Sequence, residues 1–468
     1  MRVKRNYKDS TRIRLLKNPP KKALIEGLDF GPSAVVCKQK LANGLTLLFL
    51  EDPRVHRASI KIFFKGGVRR ESYHNNGITH FLEHMLFRGC KSYPKTCDLE
   101  EAFEIIGGTA NAYVDLERTC YYTHCHPKFV NSAIEIFKSM FADPLFNDIE
   151  TEKRIVAQEI LEDKNDKGEE INVDNLLYEL MFYGSTLSLH IAGNLENLKR
   201  FSIKDLEDKL KELLVEENTV IAIHGKVLLN DIQKEVEAIK FSNSLPRLNH
   251  ITKNPAHLNN DGPKVLIKAN HQSQFDVKVG FKAPPWRKLS SHGFPLLQKF
   301  LTGTGKSLLP RIMRESMGIV YSIDSGLDMH DEVCIFFVEF SVSREFFKEA
   351  YHVLINQLSS LRHKNINMDD FLSAKLACLY DMYFEQDIPE GLVERSIQGC
   401  LFDGFLDFSE EYNYILSLSP VSLKRLIEEV IRKDNIYTVA VGPAHGIQKS
   451  LEYDIMEYIN IAFRGLGV

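Results

Sequence analysis

Residues 202–214 read SIKDLEDKLKELL, and residues 419–431 read SPVSLKRLIEEVI. Leu206, Leu210 and Leu213 of the first stretch fall on Leu423, Ile427 and Val430 of the second when position 202 is laid on position 419. Apolar residues spaced by three and four line one face of a helix. Ser202 with Asp205 three positions on has the form of an N-cap and its acidic partner, so a helix is predicted to start just after Ser202.

The same offset recurs elsewhere. ASIKIFFKGG at 58–67 falls on FDVKVGFKAP at 275–284, with Lys61, Phe64 and Lys65 on Lys278, Phe281 and Lys282. NTVIAIHG at 218–225 falls on NIYTVAVG at 435–442, each an apolar run between an Asn and a Gly. One offset shared by three separate segments marks an internal duplication. Period-two alternation in TLLFL and ASIKIFF predicts strands, and the spacing in LEEAFEIIGG and VNSAIEIFKSMF predicts helices. The expected fold class is therefore α+β, with two homologous mixed α/β halves, each a mainly antiparallel sheet packed with helices. The expected domains are a basic N-terminal arm (1–30), a first half (31–241), a linker rich in Asn and Pro (242–263) and a second half (264–468).

Composition narrows the function classes. A chain of 468 residues with 44% hydrophobic and 26% charged residues is that of a globular protein of more than one domain, and no apolar run reaches the length of a membrane span. A net charge of −4 gives no electrostatic case for nucleic acid or anionic lipid. The eight cysteines are scattered, with no Cys-x-x-Cys pair and no apolar leader, so a reducing compartment is expected. The stretch 1–22 holds nine Lys or Arg and one acid, Asp9. A solvated basic arm gives a cytoplasmic location; the alternative, a transit peptide, gives the mitochondrial matrix.

The chemistry centres on HFLEHMLFRG at 80–89. On a helix His80 and His84 lie one turn apart on one face, so both rings can reach one cation. Glu83, adjacent to His84, is placed to act as a base on a water beside that cation. Catalytic Zn²⁺ takes three protein ligands and leaves a position open, so a third ligand must come from elsewhere in the chain. The order His-x-x-Glu-His is the inverse of the commoner zinc-protease motif.

GITHFLEHMLFRG (77–89), IGGTANAYVDLERTCYY (106–122), FADPLF (141–146) and ETEKRIVAQEI (150–160), in that order, resemble the M16 family of zinc metallopeptidases, over nearly the whole chain. The resemblance implies one Zn²⁺ per chain, held by His80, His84 and Glu159, with Glu83 as general base and Glu152 as a supporting carboxylate. It implies that Asn111 and Ala112 lie on an edge strand that holds a peptide substrate as an added strand. In RIMRESMGIVY (311–321), Arg314 and Tyr321 resemble the family's substrate-site pair of Arg and Tyr, suited to a developing oxyanion. The second half carries Leu296, Lys299 and Phe300 where the metal motif would recur. The implied activity is endopeptidase cleavage of peptides or unfolded precursor segments inside a closed dimeric chamber, as a homodimer or with a related M16 subunit. The alternative is a non-catalytic partner subunit.

Two tempting motifs are set aside. THCHPKF puts His124 and His126 on one strand face with no further ligand cluster, which reads as strand packing. GTGKS at 303–307 lacks the first glycine of a nucleotide-binding loop, since Phe300 stands there.

Overall fold

The computed structural model describes residues 21–26, 36–239, 260–401 and 407–464. Most of the segments expected as arm and linker lie outside the described residues. The first half holds strands β1 (Cys37–Lys40), β2 (Thr46–Glu51), β3 (Ala58–Phe64), β4 (Ala110–Val114), β5 (Thr119–Cys125) and β6 (Thr219–Gly225). Helix α1 (Lys21–Glu26) belongs to the arm, and the helices of the first half are α2 (Ile78–Leu86), α3 (Thr96–Ile105), α4 (Val130–Ala142), α5 (Ile149–Glu162), α6 (Val173–Phe182), α7 (Leu195–Arg200), α8 (Ile203–Leu213) and α9 (Leu229–Glu237). The second half holds β7 (Lys264–Ala269), β8 (Gln274–Ala283), β9 (Ser322–Met329), β10 (Cys334–Ser343) and β11 (Tyr437–Gly442). Its helices are α10 (Phe294–Leu301), α11 (Phe347–Leu361), α12 (Met368–Glu385), α13 (Pro389–Leu401), α14 (Phe408–Ser417), α15 (Pro420–Val430) and α16 (Gln448–Ala462).

The duplication reaches the hydrogen bonds. The strand order is β1-β2-β6-β3-β5-β4 in one sheet and β7-β11-β8-β10-β9 in the other, so the second repeats the first without its outermost strand. In each sheet one pair is parallel, β2 with β6 and β7 with β11, and the remaining pairs are antiparallel. The offset holds at both ends of α8 and α15, with Ile203 on Pro420 and Leu213 on Val430. Each begins with a reciprocal cap, Ser202 with Asp205 and Ser419 with Ser422. The leucine stripe predicted from sequence is buried in both. Gly225 and Gly442 close the matching strands where no side chain fits: a Cβ would stand 2.8 Å from Ala58 Cα in one and 2.7 Å from the Gln274 carbonyl oxygen in the other.

One feature departs from the alternation read in the strands. Every residue of β6 and β11 is buried, and β3 is covered on both faces. The inner face of the first sheet (Leu47, Ile60, Ile62, Phe64, Ile221) packs under α2, α4 and α8. The outer face (Leu48, Leu50, Phe63, Val220) packs against Leu392, Val393 and Ile397 of α13, a helix of the second half. The reciprocal contact places Leu177, Met181 and Phe182 of α6 on Ile335, Tyr437, Val439 and Val441 of the second sheet. The exchanged helices sit at equivalent places in the repeat, and each half thus covers the outer face of the other's sheet.

Charges accompany the exchange. Glu394 of α13 takes Lys61 at 3.0 Å and Arg118 at 3.0 Å, and Glu390 takes Arg57 at 2.6 Å. Nearby, Arg69, with its side chain 1% exposed, bridges Glu117 of the β4–β5 turn and Glu332 of the β9–β10 turn. Burial favours the neutral Glu117 carboxyl, but the neighbouring His330 imidazole and the Arg69 charge outweigh it and hold the group, ordinarily at 4.5, down to about 2. The described part of the basic arm is not free: Lys21 of α1 pairs with Asp369 of α12 at 2.7 Å and donates to Ser373.

Replacing Arg69 with Met leaves two partly buried carboxylates without their shared cation and is expected to destabilise the fold by about 3 kcal/mol, read as a lower urea midpoint. A carboxyl depressed by folding stabilises fully above its ordinary pKa and loses that contribution as pH falls through the folded value. Stability of the native chain should therefore decline between about pH 4.5 and pH 2 on account of Glu117, and the Arg69→Met chain should show less of this decline. An unchanged midpoint would show that the bridge contributes nothing.

Candidate metal centre and substrate cleft

Helix α2 carries the histidines on the inner face of the first sheet. Ile78, Phe81, Leu82, Met85 and Leu86 are buried, which turns the remaining stripe, His80, Glu83 and His84, towards α5. The helix begins at Gly77, whose φ of 97° favours glycine and whose absent side chain lets Gly193 pack against it; a Cβ there would stand 2.8 Å from Gly193 Cα. The first amides are held by a residue outside the helix. The buried Glu71 carboxylate accepts hydrogen bonds from the Gly77 amide (2.7 Å), the Thr79 amide (2.8 Å) and the Asn76 side chain (3.0 Å). A carboxylate on otherwise unpartnered amides at the positive end of a helix fixes where that helix starts.

Helix α5 supplies the carboxylates. Glu152 and Glu159, two turns apart, face α2 on one side of their helix. Glu152 lies 2.9 Å from His84 Nδ1, and its other oxygen takes Arg88 Nε at 2.7 Å. A carboxylate at Nδ1 makes that nitrogen the donor and leaves the Nε2 lone pair for a cation. His84 Nε2 lies 3.4 Å and His80 Nε2 3.7 Å from the same oxygen of Glu159.

His80, His84 and Glu159 each offer one ligand atom, and these lie within 4.8 Å of one another. The spacings suit coordination: zinc bonds of about 2.0–2.2 Å in a tetrahedron set ligand atoms about 3.4 Å apart. The protonation state of His80 suits it as well. Burial and the neighbouring His84 push His80 down to about 4, which keeps its ring neutral and able to donate a lone pair. Burial pushes the Glu83 carboxyl up to about 7, against the pull of His84 and with the help of the Glu159 charge. For His84, burial disfavours the charged ring, but the Glu152 hydrogen bond and the Glu159 and Glu83 charges raise its pKa overall. The donor set therefore fits a zinc ion.

Asn111 and Ala112 lie on β4, at the edge of the sheet, paired on one side with Tyr122 and Tyr121 of β5. They line a cleft of about 370 Å³ that also borders Glu83, Phe87 and α3. Arg314 sits in a π-helical turn over Pro310–Ser316 and donates to Glu315 at 2.9 Å, while Tyr321 is 79% exposed. Among the described residues, no hydrogen bond or ion pair joins either of them to α2. The structure thus brings His80, Glu83, His84, Glu152, Glu159, Asn111 and Ala112 into one neighbourhood and leaves Arg314 and Tyr321 facing solvent.

A sequence profile described as "Insulinase (Peptidase family M16)" matches residues 46–194, and one described as "Peptidase M16 inactive domain" matches residues 200–378. An uncharacterised zinc protease of Rickettsia bellii is 30% identical over 61% of this chain and 68% of its own length. The chain belongs to the M16 peptidase family. The beta subunit of the mitochondrial-processing peptidase of Dictyostelium discoideum is 27% identical over 53% of this chain and 52% of its own. A protease of Helicobacter pylori shares the fold, with a TM-score of 0.76 and 16% identity over 88% of this chain and all of that one.

Sequence reasoning missed two residues of this M16 site. Arg88 stands four positions after His84, in the turn just past the end of α2, a spacing that did carry the signal. Glu71 caps α2 from outside the helix, and no local pattern marks it. The set-aside motifs sit in ordinary secondary structure. His124 lies opposite Ser59 in the sheet, His126 accepts from the Lys128 amide at 3.2 Å, and Ser307 of GTGKS donates to the Lys299 carbonyl at 2.7 Å.

Exchanging Glu152 for Ala removes the group that orients His84 and is expected to weaken zinc binding about 10- to 100-fold, measured by competition with a chromophoric chelator. Affinity equal to that of the native chain would show that His84 is held by its helix alone.

Proposed function

We propose that the chain is a zinc-dependent endopeptidase acting on peptides or unfolded precursor segments. The observation that carries this reading is the convergence of His80, His84 and Glu159 beside Glu83 and a free sheet edge. Zinc held by those three groups supplies a Lewis acid for the attacking water and the scissile carbonyl. Glu83 takes a proton from that water and passes it to the leaving amine, a task suited to a carboxyl poised near neutrality. The open edge of β4 offers backbone groups at Asn111 and Ala112 to an extended peptide, which binds as one more strand with little regard to its sequence. Folded proteins present few such segments, so peptides and unfolded stretches are the substrates expected.

Arg314 and Tyr321 are donors suited to a developing oxyanion, yet both face solvent. This supports a dimer, of two copies or with a related M16 subunit, in which they complete a site across a closed chamber. No described helix is long and apolar enough to cross a membrane. The proposed location is the cytoplasm, with the mitochondrial matrix as the alternative.

Glu83→Gln is expected to lower kcat by about 10²- to 10⁴-fold on a quenched fluorescent peptide while one zinc per chain is retained. Chelation should abolish cleavage by the native chain, and added zinc should restore it. Substoichiometric zinc with no chelator-sensitive cleavage would instead make the chain a non-catalytic partner subunit. Mixing Glu83→Gln chains with Arg314→Ala, Tyr321→Phe chains should recover up to about a quarter of native activity by statistical exchange, because each mixed dimer regains one site. Two inactive proteins whose mixture stays inactive would rule out assembly in trans.

A further inference from the structure

Helices α2 and α5 pack antiparallel, since the start of each meets the end of the other. One end of the pair is tied by Glu152, in the first turn of α5, which meets His84 and Arg88 around the end of α2. At the other end stand His80, in the first turn of α2, and Glu159, in the last turn of α5. His80 has no counterpart of the Glu152 carboxylate: its Nδ1 is buried and, among the described residues, makes no hydrogen bond. Its placement therefore depends on how the first turn of α2 is held relative to α5.

A path of contacts outside both helices joins these two ends. Just past α5, residues 163–171 form a small hairpin, closed by a β-bridge between Lys164 and Glu170 and by the Ile171 amide donating to the Asp163 carbonyl at 2.8 Å. The Glu170 carboxylate, 8% exposed, pairs with Lys164 Nζ, accepts from the Asn172 amide at 3.0 Å and lies 3.4 Å from His190 Nδ1. The other ring nitrogen of His190 lies 2.8 Å from Glu179 of α6. The His190 carbonyl accepts from the Asn76 side chain at 2.8 Å, and the same side chain donates to Glu71, the cap of α2.

We propose that Glu170 is a positioning residue for the metal centre. It clasps the end of α5 to the start of α2 through His190, so that Glu159 and His80 stand at ligand distance before an ion arrives. This rests on the zinc reading of the centre. Ligands held in place beforehand lose less freedom when the ion binds, so the clasp raises affinity without touching the metal. It acts at the end of the helix pair that Glu152 does not reach. Through Glu179 it also fastens that end to α6, the helix that covers the second sheet.

The test is zinc affinity by competition with a chromophoric chelator, beside hydrogen exchange on chelator-treated protein. Glu170→Ala should weaken zinc binding about three- to tenfold, and Glu170→Gln, which keeps an acceptor for the Asn172 amide, should lie between it and the native chain. His190→Leu should weaken binding as well. The double variant should lose no more than about twofold beyond the worse single one, since both substitutions cut one path. In metal-free Glu170→Ala, segments 76–82 and 159–164 should exchange faster than in the native chain. Asp407→Ala, which removes the N-cap of α14 in the second half, controls for general loss of stability and should leave zinc affinity within about twofold. Native affinity in Glu170→Ala, an equal loss in Asp407→Ala, or fully additive losses in the double variant would overturn the clasp and leave the zinc reading standing. If the native chain takes up no zinc, the zinc reading falls; faster exchange in Glu170→Ala then still upholds the clasp between the helices, and unchanged exchange overturns it.

Discussion

The exchange of α6 and α13 between the two halves is the constraint on which the rest of the structure depends. Each sheet is apolar on both faces, and each half's own helices cover only the inner one. Leu392, Val393 and Ile397 of α13 close the outer face of the first sheet, each contributing about 1.5–3 kcal/mol by burial. Removing the second half would leave Leu48, Leu50, Phe63 and Val220 in water beneath the strands that seat α2. The metal centre is built wholly from residues of the first half, yet the rigidity of its platform is shared. Because α13 covers a face and not an edge, β4 remains the outermost strand of its sheet among the described residues.

The duplicated frame shows what a metal site costs and how one can be absent. Aligned by their N-cap glycines, Gly77 and Gly293, helices α2 and α10 place Leu296, Lys299 and Phe300 against His80, Glu83 and His84. Leu296 and Phe300 are buried in the core of the second half, and Leu376, which stands where the repeat puts Glu159, packs against that same core. Hydrocarbon on both helices lets them close on each other. In the first half the corresponding contacts are polar, with Glu152 held between His84 and Arg88. The M16 frame therefore tolerates either filling, because the sheets and the exchanged helices fix the helix positions independently of what lies between α2 and α5.

Much of this was legible in the sequence, for identifiable reasons. The constant offset that lays Ser202 on Ser419 survives because strand and helix periods on a shared frame constrain the same apolar positions twice. His80 and His84 were legible because one helical turn brings them together with no knowledge of the tertiary fold. Glu159 came only from family resemblance, since its approach to α2 depends on how α5 packs. The two-sided burial of β3 was hidden, because the helix that covers it begins only at Pro389, in the other half of the chain. Glu71 was hidden for a related reason: a carboxylate that caps a helix from outside has no fixed spacing from it. The placement of Arg314 and Tyr321 facing solvent also could not be read from RIMRESMGIVY, most of which forms a π-helical turn.

The electrostatics of the centre explain why its parts must occur together. Glu83, Glu152 and Glu159 bring three carboxyls to one helix pair, with Arg88 as the cationic partner of Glu152. Burial pushes Glu83 up to about 7 and, with His84 nearby, His80 down to about 4. A divalent cation among Glu159 and the two imidazoles offsets this penalty, because it stabilises the carboxylates and needs the imidazoles neutral. Neither a lysine nor a third histidine would do both, since a lysine cannot accept the imidazole lone pairs and a neutral histidine leaves the carboxylates uncompensated. The donor set and the neighbouring acids are thus coupled, since a cation held by the first would offset part of the penalty of burying Glu83.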